Sequence, residues 1–278
     1  MENRMIDPDL RNFAAYLRRE EKSAGTIEKY LRDAAAFAAH MGGVPVTKDA
    51  VAAWRDGLTA QGYAPPTVNS MVASVNALLR FLGWEDCRVK ALRLQRRVFR
   101  DQSRELTREE YDRLLAAASG KPRLALLMET ICSTGIRVSE VRYITVEAAR
   151  EGRTQISLKG KIRVIMLPGK LCRKLLKYAG KQKIASGEIF LTKSGKGLTR
   201  RQIWAEMKSL CDRAGVERSK VFPHNLRHLF ARMFYRVTRD IAKLSDVLGH
   251  SSIETTRIYL ISTGTEHARA LDRLGLVS

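Results

Sequence analysis

Several features that would classify a protein at once are scarce or missing in this chain of 278 residues. No apolar run approaches the roughly 20 residues that a membrane-spanning helix needs, and the first ten residues lack the apolar stretch of a signal peptide. The four cysteines stand singly, without a CxxC pair, so neither a zinc site nor a disulfide framework is indicated. We expect a cytoplasmic protein with reduced thiols, no metal and no membrane partner.

Acidic residues are also scarce beside basic ones, with 29 against 50, which gives a net charge of +21. A compact chain with that excess repels itself unless something acidic binds it. The commonest polyanion is nucleic acid, whose condensed counterions are released when Lys and Arg neutralise phosphates. An acidic membrane surface is the main alternative. The charge therefore predicts a nucleic-acid partner.

Residues 1–87 are predicted to form a small helical bundle, because apolar residues recur there at helical spacing in four successive segments. Gly42-Gly43 are predicted to end one of these helices and Pro65-Pro66 to open another, and Thr47 is a candidate N-cap. Residues 88–104 follow with seven basic residues against one acid, Asp101. Such runs are usually solvated linkers. Because this one joins two structured halves of a basic protein, we favour a linker that lies along a phosphate backbone through Arg96 and Arg97.

Residues 105–278 are predicted to be a larger α+β domain that is mainly helical. Thr107 and Glu110 fit a capping box, and one helix is expected over 121–144. The segment TQISLKGKIRVIMLP is typical of two short strands that turn at Lys159-Gly160-Lys161. Helices are expected again from 171, over 198–214 and from 223 to the end. The predicted class is mainly α with one small antiparallel sheet.

The segment PHNLRHLF places His224 and Arg227 three residues apart at the start of a helix, opened by Pro223. Free N–H groups and the helix dipole favour an anion at that end, so the pair suits a phosphate. The ordinary alternative is a surface histidine beside a salt-bridged arginine. His228 is expected to face away from this chemistry.

Two further segments carry residues able to act on a phosphate. In STGIRVSEV, Arg137 and Glu140 either form a plain i,i+3 salt bridge or make a phosphate-clamping arginine that its carboxylate orients. In LGHSSIETTRIYL, Ser251 and Glu254 fit a capping box, which places Tyr259 on a helix about two turns beyond His250. Taken alone, this tyrosine suits a core position equally well.

Together, in chain order, the motifs TGIRVSEV, a hairpin lysine, HNLRH and LGHSS…TRIY resemble the catalytic boxes of the tyrosine recombinases, the phage-type integrases. The resemblance covers essentially the whole chain. It implies a SAM-like core-binding domain that clamps DNA at 1–87, a basic linker at 88–104 and a catalytic domain at 105–278.

The resemblance also implies residue roles. Tyr259 would attack a DNA phosphodiester and form a 3′-phosphotyrosyl enzyme, with His224 assisting proton transfer. The charge on the phosphorane would be stabilised by Arg137, Arg227 and His250. Glu140 would orient Arg137. Because the phosphotyrosine bond stores the energy, no cofactor is expected. Lys159 on the hairpin would be the general acid, although the family's Gly-Lys-Gly is altered here and Lys161 stays open.

For binding, the resemblance implies double-stranded DNA, a homo-tetramer that passes through a Holliday junction, and an accessory DNA-bending or excision protein. DNA contacts are expected from two arginines at a helix start and from early helical turns of the first domain: Arg200, Arg201, Thr26, Lys29, Thr67 and Asn69. The tail 265–278 either docks on a neighbouring protomer or folds back. The segment 230–250 departs from the glycine-containing version typical of chromosome-dimer resolvases, which favours a mobile-element or phage enzyme. A type IB topoisomerase and a catalytically silent DNA-binding regulator are the alternatives.

The choice between the two hairpin lysines is testable. Lys159→Ala should slow cleavage of ordinary DNA, and a 5′-phosphorothiolate substrate should restore most of the rate, because its sulfur leaves without protonation. Lys161→Ala is the matched control, measured by single-turnover cleavage on both substrates. Rescue of Lys161→Ala in place of Lys159→Ala would move the general acid to the other lysine.

Overall fold

A computed structural model describes these residues of the chain: 3, 7–94, 102–158, 161–250, 252–259 and 272–274. The polypeptide forms two compact units, residues 1–96 and 97–278. Helices dominate both units, and the described part of the second unit contains a two-stranded antiparallel sheet. The predicted fold class is confirmed.

The described residues of the first unit form four helices, whose ends fall where the sequence signals predict. Gly42 ends the second helix in the left-handed conformation at φ 55°, which glycine adopts without steric cost. The Thr47 side chain accepts a hydrogen bond from the Ala50 N–H and so caps the third helix. The helices are α1 Asp7–Arg19, α2 Ala24–Met41, α3 Lys48–Ala60 and α4 Pro65–Phe81, followed by a 3₁₀ turn at Glu85–Cys87. They enclose a core that contains the edge-to-face pair Phe37 and Trp54.

Two asparagines on α4 hold the segment that leaves this core. The Asn69 amide accepts from the Leu92 N–H at 2.7 Å and donates to its carbonyl at 2.9 Å. Asn76 makes the same pair of bonds with Val89 at 3.2 and 2.8 Å. The match is geometric, because seven helical residues rise about 10 Å and three extended residues span about the same length. The exit of the first unit is therefore fixed against α4.

The second unit begins with the predicted capping box. The Thr107 hydroxyl accepts from the Glu110 N–H at 3.2 Å, and the Glu110 carboxylate accepts from the Thr107 N–H at 2.8 Å. Its helices are α5 Arg108–Ala117, α6 Pro122–Thr134, α7 Val146–Glu151, α8 Gly169–Lys181, α9 Arg200–Lys208, α10 Cys211–Ala214, α11 Pro223–Thr238, α12 Ile241–Leu248 and α13 Ile253–Arg257. Its 3₁₀ turns lie at Gln102–Arg104, Val138–Tyr143 and Arg218–Lys220.

The single helix expected over 121–144 is wrong. Gly135 ends α6 with a left-handed φ of 66°, and its N–H bonds the Ile131 carbonyl. The chain then crosses to a separate 3₁₀ turn at Val138–Tyr143. There is no room for a side chain at the break, because a Cβ on Gly135 would lie 2.4 Å from the Phe230 ring. The left-handed glycine ends α6, and the close approach of α11 leaves space for no residue other than glycine at that position.

The predicted hairpin consists of β1 Arg153–Leu158 and β2 Lys161–Met166, paired antiparallel from Arg153 with Met166 to Leu158 with Lys161. Its inner face buries Ile156 and Ile165. Strand alternation puts Arg163 on that inner face beside Ile165. The other face leaves three apolar side chains exposed: Ile162, Val164 and Met166. The register leaves two residues between the strands, Lys159 and Gly160, which lie outside the described residues.

The tight fit at Gly135 predicts a large penalty for a single methyl group. Gly135→Ala should destabilise the protein by about 2–4 kcal/mol, combining the left-handed backbone cost with overpacking against Phe230. Gly152 is the matched control, because it caps α7 at φ 73° and a Cβ added there would meet nothing within 4 Å. Gly152→Ala should cost only the backbone part, about 1–2 kcal/mol. Urea unfolding measures both, and equal losses would contradict the steric account.

Candidate active site

The first turn of α11 supplies two of the predicted residues. Pro223 opens the helix at its first position, and His224 and Arg227 follow on one face. His224 is exposed, whereas Arg227 is only 1% exposed. The Arg227 guanidinium donates to the carbonyls of Gly135 and Leu248, the latter at 2.8 Å. A buried arginine in the second unit's core is therefore fixed by backbone oxygens of two other segments.

The turn after Gly135 supplies the next pair. Arg137 Nη1 donates to Glu140 Oε1 at 2.9 Å, and the Arg137 N–H donates to Glu140 Oε2 at 2.7 Å. Glu140 is 1% exposed, whereas the Arg137 side chain keeps 42% of its surface exposed. The carboxylate therefore orients a guanidinium whose outer side stays open, as the second interpretation of this motif requires.

A third arginine, which the sequence reasoning did not identify, joins the same cluster. Arg163 on β2 donates from Nη2 to Glu140 Oε2 at 2.7 Å and from Nη1 to the Leu248 carbonyl. Its side chain is 11% exposed. Strand alternation gave no signal for it, because the more apolar face of β2, with Ile162, Val164 and Met166, is the one that the structure leaves exposed.

The C-terminal end of α12 is where these arginines meet. Its last carbonyls have no hydrogen-bond partner inside the helix, and they lie at the negative end of the helix dipole. The Leu248 carbonyl accepts from Arg163 and Arg227, and the Gly249 carbonyl accepts from Arg137 at 3.4 Å. The helix end therefore holds three guanidiniums in one place.

The charge of this cluster is not balanced. Of the described carboxylates, only Glu140 hydrogen-bonds any of the three guanidiniums. Burial and the positive charge of Arg227 and Arg137 lower the pKa of Arg163 to about 10, although Glu140 opposes the change. Arg163 therefore stays cationic at neutral pH, as guanidiniums in proteins generally do. Chemically, the cluster is suited to an anion at the exposed side of Arg137.

His250 is held in one tautomer by its two neighbours. Its Nε2 lies 2.9 Å from Arg227 Nη2, and its Nδ1 lies 2.9 Å from the Thr256 hydroxyl. Arginine can only donate, so Nε2 accepts and the ring proton sits on Nδ1. Burial and the nearby arginine charges lower the pKa of His250 to about 4. The pKa of His224 is lowered as well, chiefly by partial burial of its ring and then by Arg227.

Tyr259 lies inside this cluster and is 2% exposed. Its ring stacks on His250, with centroids 5.7 Å apart, and it hydrogen-bonds Arg227. The predicted capping box and helix need correction. The cap is Ser252, whose hydroxyl accepts from the Glu254 N–H, and Ser251 lies outside the described residues. The helix ends at Arg257, so Tyr259 sits in the turn that follows.

The expectation that His228 faces away from the site is wrong. Its ring contacts Tyr259 edge-to-face at 4.5 Å and contacts His224 at 4.7 Å. The reason is helical spacing, since His228 lies four residues after His224 and shares its face of α11. Tyr259 is therefore enclosed by three imidazole rings.

The predicted contacts on α9 lie beside this cluster. Arg200 lines a cleft with Arg137, His224 and Arg227, and Arg201 is exposed in the same first turn. The cleft also contains Trp204, which is 49% exposed and which the sequence reasoning did not single out. The approach of α9 to this cleft carries no sequence signal.

The predicted contacts in the first unit are partly committed to internal bonds. Lys29 pairs with the buried Asp33 and donates to Ser74 at 3.1 Å, and the Asn69 amide is used by Leu92. Thr67 is exposed, whereas Thr26 is half-buried and hydrogen-bonds Ser23. Three predicted site residues lie outside the described residues: Arg96, Arg97 and Lys159.

The described residues form neither a metal site nor a membrane-spanning helix. They contain no group of three or more His, Cys, Asp or Glu side chains placed to hold a metal ion. They also contain no helix long and apolar enough to cross a membrane.

Sequence comparison assigns the class of protein. Residues 104–265 match the phage integrase family, and residues 10–86 match the phage integrase N-terminal SAM-like domain. The chain therefore belongs to the phage integrase family. It is 30% identical to the tyrosine recombinase XerC of Roseiflexus castenholzii, a match that covers 99% of this chain and 96% of that protein. It is 29% identical to the tyrosine recombinase XerA of Pyrococcus furiosus, covering 96% and 94%.

Solved structures share the fold. A lambda integrase dimer bound to a COC′ core site matches with a TM-score of 0.74 at 17% identity, covering 91% of this chain and 94% of that one. A lambda integrase tetramer bound to a Holliday junction matches with a TM-score of 0.72 at 19% identity, covering 91% and 76%. At these identities the likeness concerns the fold alone.

The lowered pKa of His250 predicts a pH dependence of stability. As the pH falls below about 6.5, His250 takes up a proton in the unfolded chain before it does so in the folded protein. Its contribution to the free energy of unfolding is therefore present above that pH and is lost as the pH falls towards about 4. The free energy of unfolding should therefore fall more steeply over this range in the wild type than in His250→Asn. Denaturant unfolding at several pH values measures the difference, and parallel curves would refute it.

Proposed function

We propose that this cluster binds one phosphodiester of double-stranded DNA and that Tyr259 cleaves and rejoins it. The carrying observation is the excess of positive charge, three guanidiniums against the single carboxylate of Glu140, around a tyrosine hydrogen-bonded to Arg227. Planar guanidiniums match two phosphate oxygens and stay charged through the reaction. Charge that develops on the phosphorane then meets donors already in place.

The chemistry is a balanced transesterification. The Tyr259 oxygen forms a bond to phosphorus and loses its proton, and the bond from phosphorus to the 5′ oxygen breaks. The products are a 3′-phosphotyrosine and a DNA 5′-hydroxyl, whose proton comes from Lys159. Attack by a 5′-hydroxyl reverses the steps. A phosphate diester is present on both sides of each step, so the proposed cycle consumes no nucleotide.

The proposed roles of the other residues follow from their contacts. Arg137 presents its exposed side to the phosphate while Glu140 holds it, and Arg227 reaches both His250 and Tyr259. His224 is neutral at pH 7, since its pKa is lowered, and can therefore accept a proton. A bound phosphate would offset the arginine charges that lower the pKa of His250. Because Tyr259 is 2% exposed, DNA binding must shift the turn after Arg257 before attack.

The net charge of +21 supports a large DNA-binding surface around this site. On α9, Arg200 and Arg201 lie beside the cleft and are the proposed contacts there. In the first unit we retain Thr26, Lys29, Thr67 and Asn69. Lys29 and Asn69 also form hydrogen bonds within the first unit, so their replacement would disturb the fold as well as DNA binding. Arg96 and Arg97 remain proposed backbone contacts.

We propose further that the protein works as a homo-tetramer on two duplexes, exchanging strands through a Holliday junction. The lambda integrase tetramer on such a junction supports this assembly, because it shares the fold. The tail 265–278 is the proposed link between protomers; of its residues, 272–274 are described. An accessory DNA-bending or excision protein would set the direction of recombination. We propose that the reaction takes place in the cytoplasm.

We propose a mobile-element or phage substrate, because the segment 230–250 departs from the glycine-containing version typical of chromosome-dimer resolvases. The experiment is integration by purified protein of a DNA circle that carries the element's end sequences. The alternatives give different products from a nicked suicide substrate. A silent DNA-binding regulator forms no covalent adduct, whereas a topoisomerase forms the adduct but relaxes supercoils without recombinant joints.

Tyr259→Phe should abolish the covalent protein–DNA adduct while leaving DNA affinity nearly unchanged. It removes one oxygen, the nucleophile, from a protein that binds through many basic residues. Tyr235→Phe is the matched control, because Tyr235 packs against the same apolar cluster as Tyr259. The adduct is measured by a denaturing gel after incubation with nicked DNA. A protease-sensitive adduct formed by Tyr259→Phe would end the assignment.

A further inference from the structure

We propose that Arg163 is a positioning residue that holds the segment Leu248–His250 in register with the Arg137–Glu140 turn. The inference deepens the proposed function, on which it rests. It assigns to β2 a task separate from carrying the hairpin lysine. No contact between Arg163 and DNA is part of the proposal.

The contacts of Arg163 join two sides of the site. One nitrogen, Nη2, donates to Glu140 Oε2 at 2.7 Å, and the other, Nη1, donates to the carbonyl of Leu248. Glu140 in turn orients Arg137, and Leu248 stands two residues before His250. A single planar guanidinium therefore fixes the distance between a residue that orients one phosphate-binding arginine and the turn that carries the histidine.

Exposure separates Arg163 from the arginines proposed to meet DNA. Its side chain is 11% exposed, against 42% for Arg137. Arg227 is buried too, but it reaches His250 and Tyr259 directly. The hydrogen bonds of Arg163 go instead to Glu140 and Leu248. Arg163 therefore acts on the reacting groups through those two residues.

The fit against Gly249 leaves little freedom at this junction. A Cβ on Gly249 would lie 2.4 Å from Cδ of Arg163 and 2.7 Å from its Nη1. The stem of Arg163 thus packs directly on the backbone of the turn, at a residue whose φ is 63°. Because His250 follows immediately, a displacement of Arg163 would be passed to the imidazole.

Stability alone does not account for an arginine here. The Arg163 Nε is buried without a hydrogen-bond partner among the described residues. It also shares one carboxylate with Arg137 and faces the charge of Arg227. Buried ion pairs of this kind are often replaced by apolar side chains without loss of stability. An unpaired buried donor adds to the cost, so a role in alignment is the better explanation.

Arg163→Met tests the proposal, because methionine keeps an unbranched stem and removes both bridging donors. Arg163→Lys retains the charge but replaces the planar two-armed fork with a single ammonium group. Arg153→Met is the matched control, an exposed arginine on the same hairpin that lies 3.9 Å from the carboxylate of Glu151. All three proteins are compared with the wild type by unfolding, DNA affinity and single-turnover cleavage of nicked DNA.

We expect Arg163→Met to bind DNA within a few-fold of the wild type and to unfold at the same or a higher denaturant concentration. Its cleavage rate in the bound complex should fall about 10²-fold, the effect of a displacement near 1 Å at a reacting centre. Arg163→Lys should recover part of the rate, and Arg153→Met should match the wild type.

A second readout separates alignment from structural support. Nitrogen-15 shifts of His250 report which ring nitrogen carries the proton. The wild type should show the Nδ1–H tautomer alone, as its bonds to Arg227 and Thr256 require. Arg163→Met should show a mixture, since the turn is no longer fixed. A pure Nδ1–H tautomer in Arg163→Met would contradict the proposal.

The outcomes separate the two proposals. Absence of a covalent adduct from the wild type overturns the proposed function. An adduct from the wild type, with Arg163→Met cleaving at an equal rate, overturns only the role of Arg163. Lost DNA affinity with an unchanged rate in the bound complex would make Arg163 a DNA contact and overturn it as well. If Arg163→Met does not fold, Arg163→Lys decides, and a wild-type rate with lysine rejects the role.

Discussion

The C-terminal end of α12 is the point on which the site depends. Helix ends leave carbonyls without partners inside the helix, and here the carbonyls of Leu248 and Gly249 are satisfied by guanidiniums from three separate segments. Those segments are the turn after Gly135, strand β2 and helix α11. The carbonyls at this helix end need hydrogen-bond donors, and by binding three guanidiniums they align three arginines.

The same arrangement sets the charge of the cluster. One buried carboxylate, Glu140, serves two guanidiniums, and burial together with the remaining positive charge lowers the pKa of both His224 and His250. The histidines are therefore neutral before an anion arrives. The charge imbalance disfavours the empty site and favours the anion-bound one. Such a surplus suits the phosphodiester proposed as the substrate, and Tyr259 already lies among the same groups.

Much of the fold was predictable from the sequence because its helices carry their own end signals. Thr47, the Thr107–Glu110 box and Gly42 act through bonds to nearby residues, and these local predictions are confirmed. The helix expected over 121–144 was wrong, because Gly135 ends α6 in the left-handed conformation, where the packing of Phe230 leaves no room for a side chain. Local bonds are visible in a sequence, whereas a contact between residues far apart along the chain is not.

For the site, the sequence by itself determined which chemical groups are available: a tyrosine, two arginines, a glutamate and histidines, in an order that resembles the catalytic boxes of the tyrosine recombinases. It did not reveal Arg163, and it put His228 on the wrong face. Only the tertiary structure decided that the end of α12 gathers the arginines and that Tyr259 lies in a turn. The physical reason is that residue type fixes charge and reactivity. Burial, the choice of hydrogen-bond partner and the resulting pKa shifts arise only when distant segments pack together.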